Sequence, residues 1–274
     1  KDRYAGTLVG RVWQPEGPAV VALREDGVYD VTREVGPTMS ELLERKANGQ
    51  PGAHFHEWRA ILDELAELLW SLKDEHGKLV PVQIRPFHEL TGNWFWWGSQ
   101  NDPSVYAAAW REMVSYLRDG RGLHNTLWVF CPAAPSDTRL FASFYPGDAF
   151  VDVIAFDRYD LGSGFDRGYA SDLRVIGGFA KGHRKVAAVA EVGRDLLHQS
   201  ASPDWFSRSM LEPLKHHSFA YVALWRNAPW EKFIPEPTDA AAAADFASMS
   251  RDDGALFAGK HDLYRLLHVE TPPP

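Results

Sequence analysis

The sequence predicts an α/β protein, a parallel sheet or barrel covered by helices, and three observations carry that prediction. Between Leu79 and Ala228, five short apolar, β-branched runs are separated by segments of helical periodicity. The runs are apolar nearly throughout rather than alternating, as suits strands covered on both faces. Residues 1–50 break this rhythm, because three strand-like runs there are joined by connections too short for a parallel crossover.

Taken in order, Thr7–Trp13, Ala19–Leu23 and Val28–Val31 read as strands. Pro15-Glu16-Gly17-Pro18 and Glu25-Asp26-Gly27 join them, which makes an antiparallel meander. A short helix is expected around Met39–Arg45, and Asn48–Gly52 reads as a linker. From His56 to Asp74 a helix carries Ile61, Leu65, Leu68, Leu69 and Leu72 near one stripe. Val82–Ile84 is the first strand of the alternating region. The helix from Ser104 to Leu117 aligns Val105, Ala109, Met113 and Leu117. Strands at Thr126–Phe130 and Val151–Phe156 follow, then a helix over Ala170–Ala180 and a strand over Lys185–Ala190. Pro203–His216 is helical with Ser202 as N-cap, and Phe219–Trp225 is the last strand. Thr238 or Asp239 caps a final helix opened by the alanine run 240–244. The expected organisation is a β segment over 1–50, foreign in pattern to the α/β region over 51–274.

Composition excludes several classes. Of the 274 residues, 29 are Lys or Arg and 37 Asp or Glu, a net charge of −8, so a nucleic-acid partner is not expected. The single Cys131 rules out an intrachain disulfide framework and reads as a buried small hydrophobe. No apolar run approaches the roughly 20 residues of a membrane span, so no membrane partner is expected. The first residues also lack the apolar core of a signal peptide. His54-x-His56 beside Glu57 has no third ligand in reach, so no metal is expected, and no cofactor either. Gly162-Ser163-Gly164 reads as a loop rather than a dinucleotide fingerprint. The remaining outlier is the 11 tryptophans, four of them between Trp94 and Trp110, which suit either a core or the C–H faces of sugars.

The informative string is Arg85-Pro86-Phe87-His88-Glu89-Leu90-Thr91-Gly92-Asn93-Trp94-Phe95-Trp96-Trp97-Gly98. It places a carboxylate at the C-terminal end of a strand, followed by an aromatic loop. In a barrel of parallel strands that end carries the active site. Glu191, in Val189-Ala190-Glu191-Val192-Gly193, ends a later strand in the same way. Two such carboxylates are what glycoside hydrolysis needs, one as proton donor to the leaving oxygen and one as nucleophile or base. Taken singly, either glutamate reads more readily as a strand-end charge paired with a nearby arginine such as Arg85 or Arg194.

The whole string resembles the acid/base motif of glycoside hydrolase family 26, the β-mannanase family of a retaining clan with (β/α)8 TIM barrels. The resemblance implies that Glu89 is the general acid/base, His88 the histidine before it, and Trp94 an aromatic residue of the subsite next to the cleaved bond. It makes Glu191 the nucleophile. Tyr145–Tyr159 resembles the segment carrying the family's tyrosine near the nucleophile, here Tyr159. Trp225-Arg226-Asn227-Ala228 resembles the end of the last strand, with Trp225 as a sugar-stacking floor. Arg85, Asp157, Arg226 and Asn227 are supporting residues of these strings. Trp96, Trp97 and Trp128 are expected in packing or outer subsites. The similarity runs from about His54 to the C-terminus.

The implied chemistry is a double displacement. Glu89 must carry a proton and Glu191 must be ionised, about 5–5.5 Å apart. The implied substrate is a β-1,4-linked mannan-type polysaccharide or oligosaccharide cut internally, with secretion or a periplasmic location. β-1,3-1,4-Glucan and β-1,3-xylan are the family's alternatives. In this clan the acid/base ends the fourth strand and the nucleophile the seventh, so the five runs correspond to strands 4–8. Residues 1–53 are then short for three strands and two helices, and the antiparallel segment stands in their place. A carbohydrate-binding protein with little turnover is the corresponding alternative. The stretch 1–46 weakly resembles the small N-terminal domain of fumarylacetoacetate hydrolase-like proteins, whose metal-binding catalytic domain has no counterpart here.

Overall fold

The computed structural model describes residues 8–14, 17–24, 27–30, 53–135, 138–199 and 202–257, with side chains from Phe55 onward. The short helix expected around Met39–Arg45, the linker at 48–52 and the side chain of His54 lie outside the described residues. Two compact units are present, the second beginning within a strand at Ile154, and each is described by itself.

In the first unit β1 (Leu8–Gln14), β2 (Gly17–Arg24) and β3 (Gly27–Asp30) form an antiparallel sheet in sequence order. The two-residue connections dictate this pairing, as the spacing of the runs implied. Helix α1 (Ala53–Ser71) follows. Its buried stripe is Leu62, Ala66 and Leu69, whereas Ile61 and Leu68 are more than half exposed. The stripe expected from Ile61 and Leu68 is therefore rotated. An i, i+4, i+7 pattern beginning at Leu62 fits the 3.6-residue period equally well, and packing rather than apolar count selects it. Glu112 of α2 (Pro103–Val114) pins α1 by accepting from the indole of Trp58 at 3.2 Å and pairing with Arg59.

Strand β4 (Val82–Ile84) pairs in parallel with β5 (Thr126–Phe130), Val82 opposite Thr126. Asp102 caps α2 through Ser104 N–H at 2.7 Å, with Pro103 in the first turn. The helix expected to run to Leu117 instead opens into a π turn at Ser115–Gly120. That wider turn lets Tyr116 bond Asp63 and Arg121 pair with Asp63 at 2.8 Å. Helix α3 (Thr138–Ser143) and a 3-10 turn at Asp148–Phe150 follow in this unit.

The second unit holds β6 (Val153–Asp160), β7 (Val186–Arg194) and β8 (Val222–Leu224), neighbours in that order. β7 and β8 run parallel, with a register irregularity between Val189 and Val192. Strand β6 continues four residues beyond the expected end at Phe156, so Tyr159 lies on the strand. Helix α4 (Phe165–His183) is longer than the 170–180 expected, because its four glycines weaken the propensity signal at both ends.

The 203–216 helix differs more. It is a π segment (Trp205–Leu211) running into a short α turn (Glu212–Leu214), with Asp204 rather than Ser202 at the N-cap position. Its first N–H groups are satisfied from a distance: the buried carboxylate of Asp245 accepts from Phe206 N at 2.6 Å and Ser207 N at 3.3 Å. A tertiary cap replaces a local one, so no local signal marks it. Asp245 belongs to α5 (Ala240–Met249). Asp239 precedes α5 as expected, but its carboxylate accepts from Glu236 N at 2.8 Å and Lys232 Nζ at 3.2 Å instead of capping α5. Among the described residues no helix is long and apolar enough to cross a membrane.

Candidate active site

In the first unit the site grows from the end of β4. Phe87 and Glu89 both adopt left-handed backbone conformations, at φ 48° and 54°. For non-glycine residues each costs about 1–3 kcal/mol, so their surroundings must hold them there. Phe87 is buried against the rings of Trp58, Trp96, Trp97, Tyr106 and Trp110, with centroids 5.9–6.4 Å away. Its carbonyl accepts from Tyr106 Oη at 3.1 Å. Burial pushes that phenol well above its ordinary range, with Cys131 adding to the effect, so it stays a donor. Glu89 N–H donates to the Cys131 carbonyl at 2.7 Å, tying the turn to the end of β5. Cys131 itself is buried. At about 0.5–1.5 kcal/mol for each aromatic pair beyond its burial, five pairs are of the same size as the cost of the two strained residues.

The loop then folds back over Glu89. Gly92 N–H donates to the Glu89 carbonyl at 2.9 Å, and Ser99 N–H to the Gly92 carbonyl at 2.7 Å. Trp94 swings round so that its Nε1–H donates to Glu89 Oε2 at 2.6 Å, while the ring stays 45% exposed. Gly92 makes this possible, since a Cβ there would lie 2.3 Å from the Trp94 ring. We predict that Gly92→Ala costs about 1 kcal/mol, the low end for overpacking because the half-exposed indole can swing out. Its larger effect is displacement of Trp94 from Glu89, read as weakened binding of the substrate named below at nearly unchanged melting temperature. His88 packs against Phe95 at 4.8 Å and Trp97 at 5.7 Å, and its carbonyl accepts from Trp97 Nε1 at 2.7 Å. Trp96 and Trp97 are thus packing around Phe87 and His88, and Trp128 is buried in β5. Arg85 reaches Cys131 Sγ at 3.6 Å.

In the second unit strand alternation sorts the side chains. Asp157 and Tyr159 share one face of β6, and Arg158 and Asp160 the other. On the first face Tyr159 Oη donates to Glu191 Oε2 at 2.6 Å, and carboxylate oxygens of Asp157 and Glu191 lie within 4.8 Å. Asp157 and Glu191 are both buried. Such oxygens are hard donors of the kind that hold Ca²⁺ or Mg²⁺. On the opposite face Arg158 pairs with Asp172 of α4 at 2.5 Å, and Arg194 with Asp160 at 2.5 Å. Burial raises Asp172 above its ordinary value although Arg158 pulls it back. Arg194, one of the arginines that could pair with a strand-end carboxylate, is thus paired with Asp160. We predict that Tyr159→Phe, which removes one hydrogen bond to a charged group, lowers kcat/KM about 10–100-fold on the substrate named below.

After β8, Trp225 Nε1 and Arg226 Nε both donate to Glu231 Oε1 at 3.2 Å, and the Arg226 guanidinium lies 5.5 Å from the Trp225 ring. Asn227 closes the loop: its Oδ1 accepts from Phe233 N at 3.0 Å and Ile234 N at 2.8 Å. Sequence reasoning missed Phe233 and Glu231. Phe233 packs edge-on against Tyr159 at 5.3 Å and fills the space where a Cβ at Gly193 would sit, 2.3 Å away. The glycine two residues after Glu191 was the available signal, since a strand glycine marks close approach of another group.

The class is thereby set: an α/β protein in which Glu89, in the turn after β4, and Glu191, in the C-terminal half of β7, are each gripped by an aromatic donor, Glu89 by Trp94 and Glu191 by Tyr159. The sequence model of glycosyl hydrolase family 26 matches residues 30–195, more than half of the chain, and the chain belongs to that family. A mannan endo-1,4-β-mannosidase of Bacillus subtilis strain 168 is 37% identical over 207 residues, 73% of this chain and 52% of that protein. One from Bifidobacterium adolescentis is 32% identical over 183 residues, 61% of this chain and 18% of that protein. The chain thus spans about half or less of these relatives. Among solved structures, a family 26 β-mannanase from Bacteroides ovatus superposes with a TM-score of 0.75 at 29% identity, covering 87% of this chain and 69% of that one. These likenesses set the fold class as α/β of the (β/α)8 type.

Proposed function

We propose that the chain is an endo-acting retaining glycoside hydrolase that cleaves β-1,4-mannosidic bonds in mannan-type polysaccharides. The observation that carries this reading is the pair of glutamates within the family 26 match, Glu89 after β4 and Glu191 on β7, each bonded by an aromatic donor. Glu89 protonates the glycosidic oxygen as Glu191 attacks the anomeric carbon. Glu89 then takes a proton from the water that releases the sugar from Glu191. The hydrogen bond from Tyr159 fixes the rotamer of Glu191 and aims its carboxylate at the anomeric carbon. Trp94 has two tasks, a ring face for the sugar beside the cleaved bond and an N–H that fixes the Glu89 rotamer. Trp225 is the stacking floor, held by Glu231. His88 binds sugar hydroxyls, while Arg85, Asp157, Arg226 and Asn227 are supporting residues. The reading gives β1–β3 no part in the chemistry. A polymer of this size is met outside the cytoplasm, so the site of action is secreted or periplasmic.

The test is product analysis on galactomannan, lichenan and β-1,3-xylan side by side. Manno-oligosaccharides released from galactomannan are the expected result. Cleavage of lichenan or xylan alone would replace the substrate. Binding of manno-oligosaccharides without release of reducing sugar would replace the enzyme by a binding protein.

A further inference from the structure

The loop after β8 is braced far more firmly than a connection requires. Asn227 makes the two bonds described above and donates Nδ2–H to the Ile234 carbonyl at 2.8 Å. Within it, Ala228-Pro229-Trp230-Glu231 is a tight turn closed by Ala228 N to Glu231 O at 2.8 Å and Glu231 N to Ala228 O at 3.2 Å. Pro229 at the second turn position presets the backbone. The loop is also anchored to the end of β7, since Leu196 N donates to the Lys232 carbonyl at 2.7 Å and Lys232 N to Asp195 Oδ1 at 3.1 Å. At the tip of this frame the Trp230 indole is 64% exposed.

A single exposed apolar residue needs no explanation by itself. Two features set Trp230 apart. Its backbone is held by a closed turn inside a clamped loop, so little backbone entropy remains to be lost when something stacks on it. It is also three residues from Phe233, the ring that packs on Tyr159, which bonds Glu191. Three residues span about 10 Å at most, so the backbone that carries the indole lies within about two sugar rings of the backbone of Phe233.

We propose that Trp230 is a sugar-stacking platform for a pyranose of the polysaccharide chain beyond those flanking the cleaved bond. The positively polarised C–H face of a β-linked sugar meets the negative face of the indole, as cations and ring edges do. Glu231 takes part as a positioning residue, because the turn that carries Trp230 also supplies the acceptor for Trp225. The platform deepens the mannanase reading and rests on it. It makes the enzyme sensitive to chain length without touching the reacting bond.

The experiment compares the parent chain, Trp230→Ala and Trp230→Phe on mannotetraose and mannohexaose. Expected for Trp230→Ala is a KM for the hexaose raised about tenfold, with kcat within about twofold and the tetraose unaffected. Trp230→Phe restores most of the loss, and the melting temperature stays put. An unchanged hexaose-to-tetraose ratio in an active Trp230→Ala chain overturns the platform and leaves the mannanase reading standing. A parent chain that hydrolyses neither oligosaccharide overturns the mannanase reading instead. Calorimetric titration of mannohexaose then decides the platform, and equal affinity of parent and Trp230→Ala, or no binding to either, overturns it.

Discussion

Replacing Glu89 by glutamine is expected to lower mannan hydrolysis about 10²–10⁴-fold, the usual contribution of a positioned proton donor. The amide is close to isosteric, and its oxygen still accepts from Trp94 Nε1, so the loop stays folded over the turn. What is lost is the transferable proton. The loss must therefore depend on the leaving group. On an aryl β-mannoside with an acidic phenol, departure needs no proton and the first step recovers. The second step still needs a base, so the glycosyl-enzyme accumulates and a burst of phenol precedes slow turnover. Stopped-flow release of the phenol checks this. Equal losses on polysaccharide and activated aryl glycoside would remove Glu89 from the acid/base role.

Glu191→Gln is expected to cost more, on the order of 10⁴-fold or greater, and to cost it on every substrate. An amide cannot form the glycosyl-enzyme, and no leaving group compensates for a missing nucleophile. Glutamine keeps an oxygen for Tyr159, so substrate affinity should be close to that of the parent chain. Steady-state rates on polysaccharide and on the activated glycoside, with a binding titration beside them, distinguish this from misfolding. A recoverable rate on the activated substrate would exchange the two roles.

Much of this frame was legible in the sequence. Five strands lie where continuous apolar runs predicted them, because a strand covered by helices leaves an unmistakable composition. The two glutamates stood out because each ends such a run. What was illegible depends on contacts distant in sequence. The stripe of α1 is set by the neighbours of Leu62 and Leu69, and the leucine count alone pointed one residue away. The start of the 205–214 helix is capped by Asp245, about forty residues downstream, so the local serine misled. The pairing of Arg194 with Asp160 follows from strand alternation, visible only once β6 is known to run to Asp160. Tryptophan content hid both uses: Trp128 fills the core, whereas Trp94 and Trp230 stand in solvent.

The central claim is that Glu191 attacks and Glu89 delivers and removes the proton, and azide rescue of the two alanine variants on an activated aryl β-mannoside tests it most directly. In Glu191→Ala, azide enters the space the carboxylate vacates and displaces the phenol in one step, so the account predicts the α-mannosyl azide. In Glu89→Ala, azide attacks the glycosyl-enzyme held on Glu191, and the account predicts the β-mannosyl azide. The same anomer from both variants, or the two exchanged, would contradict it.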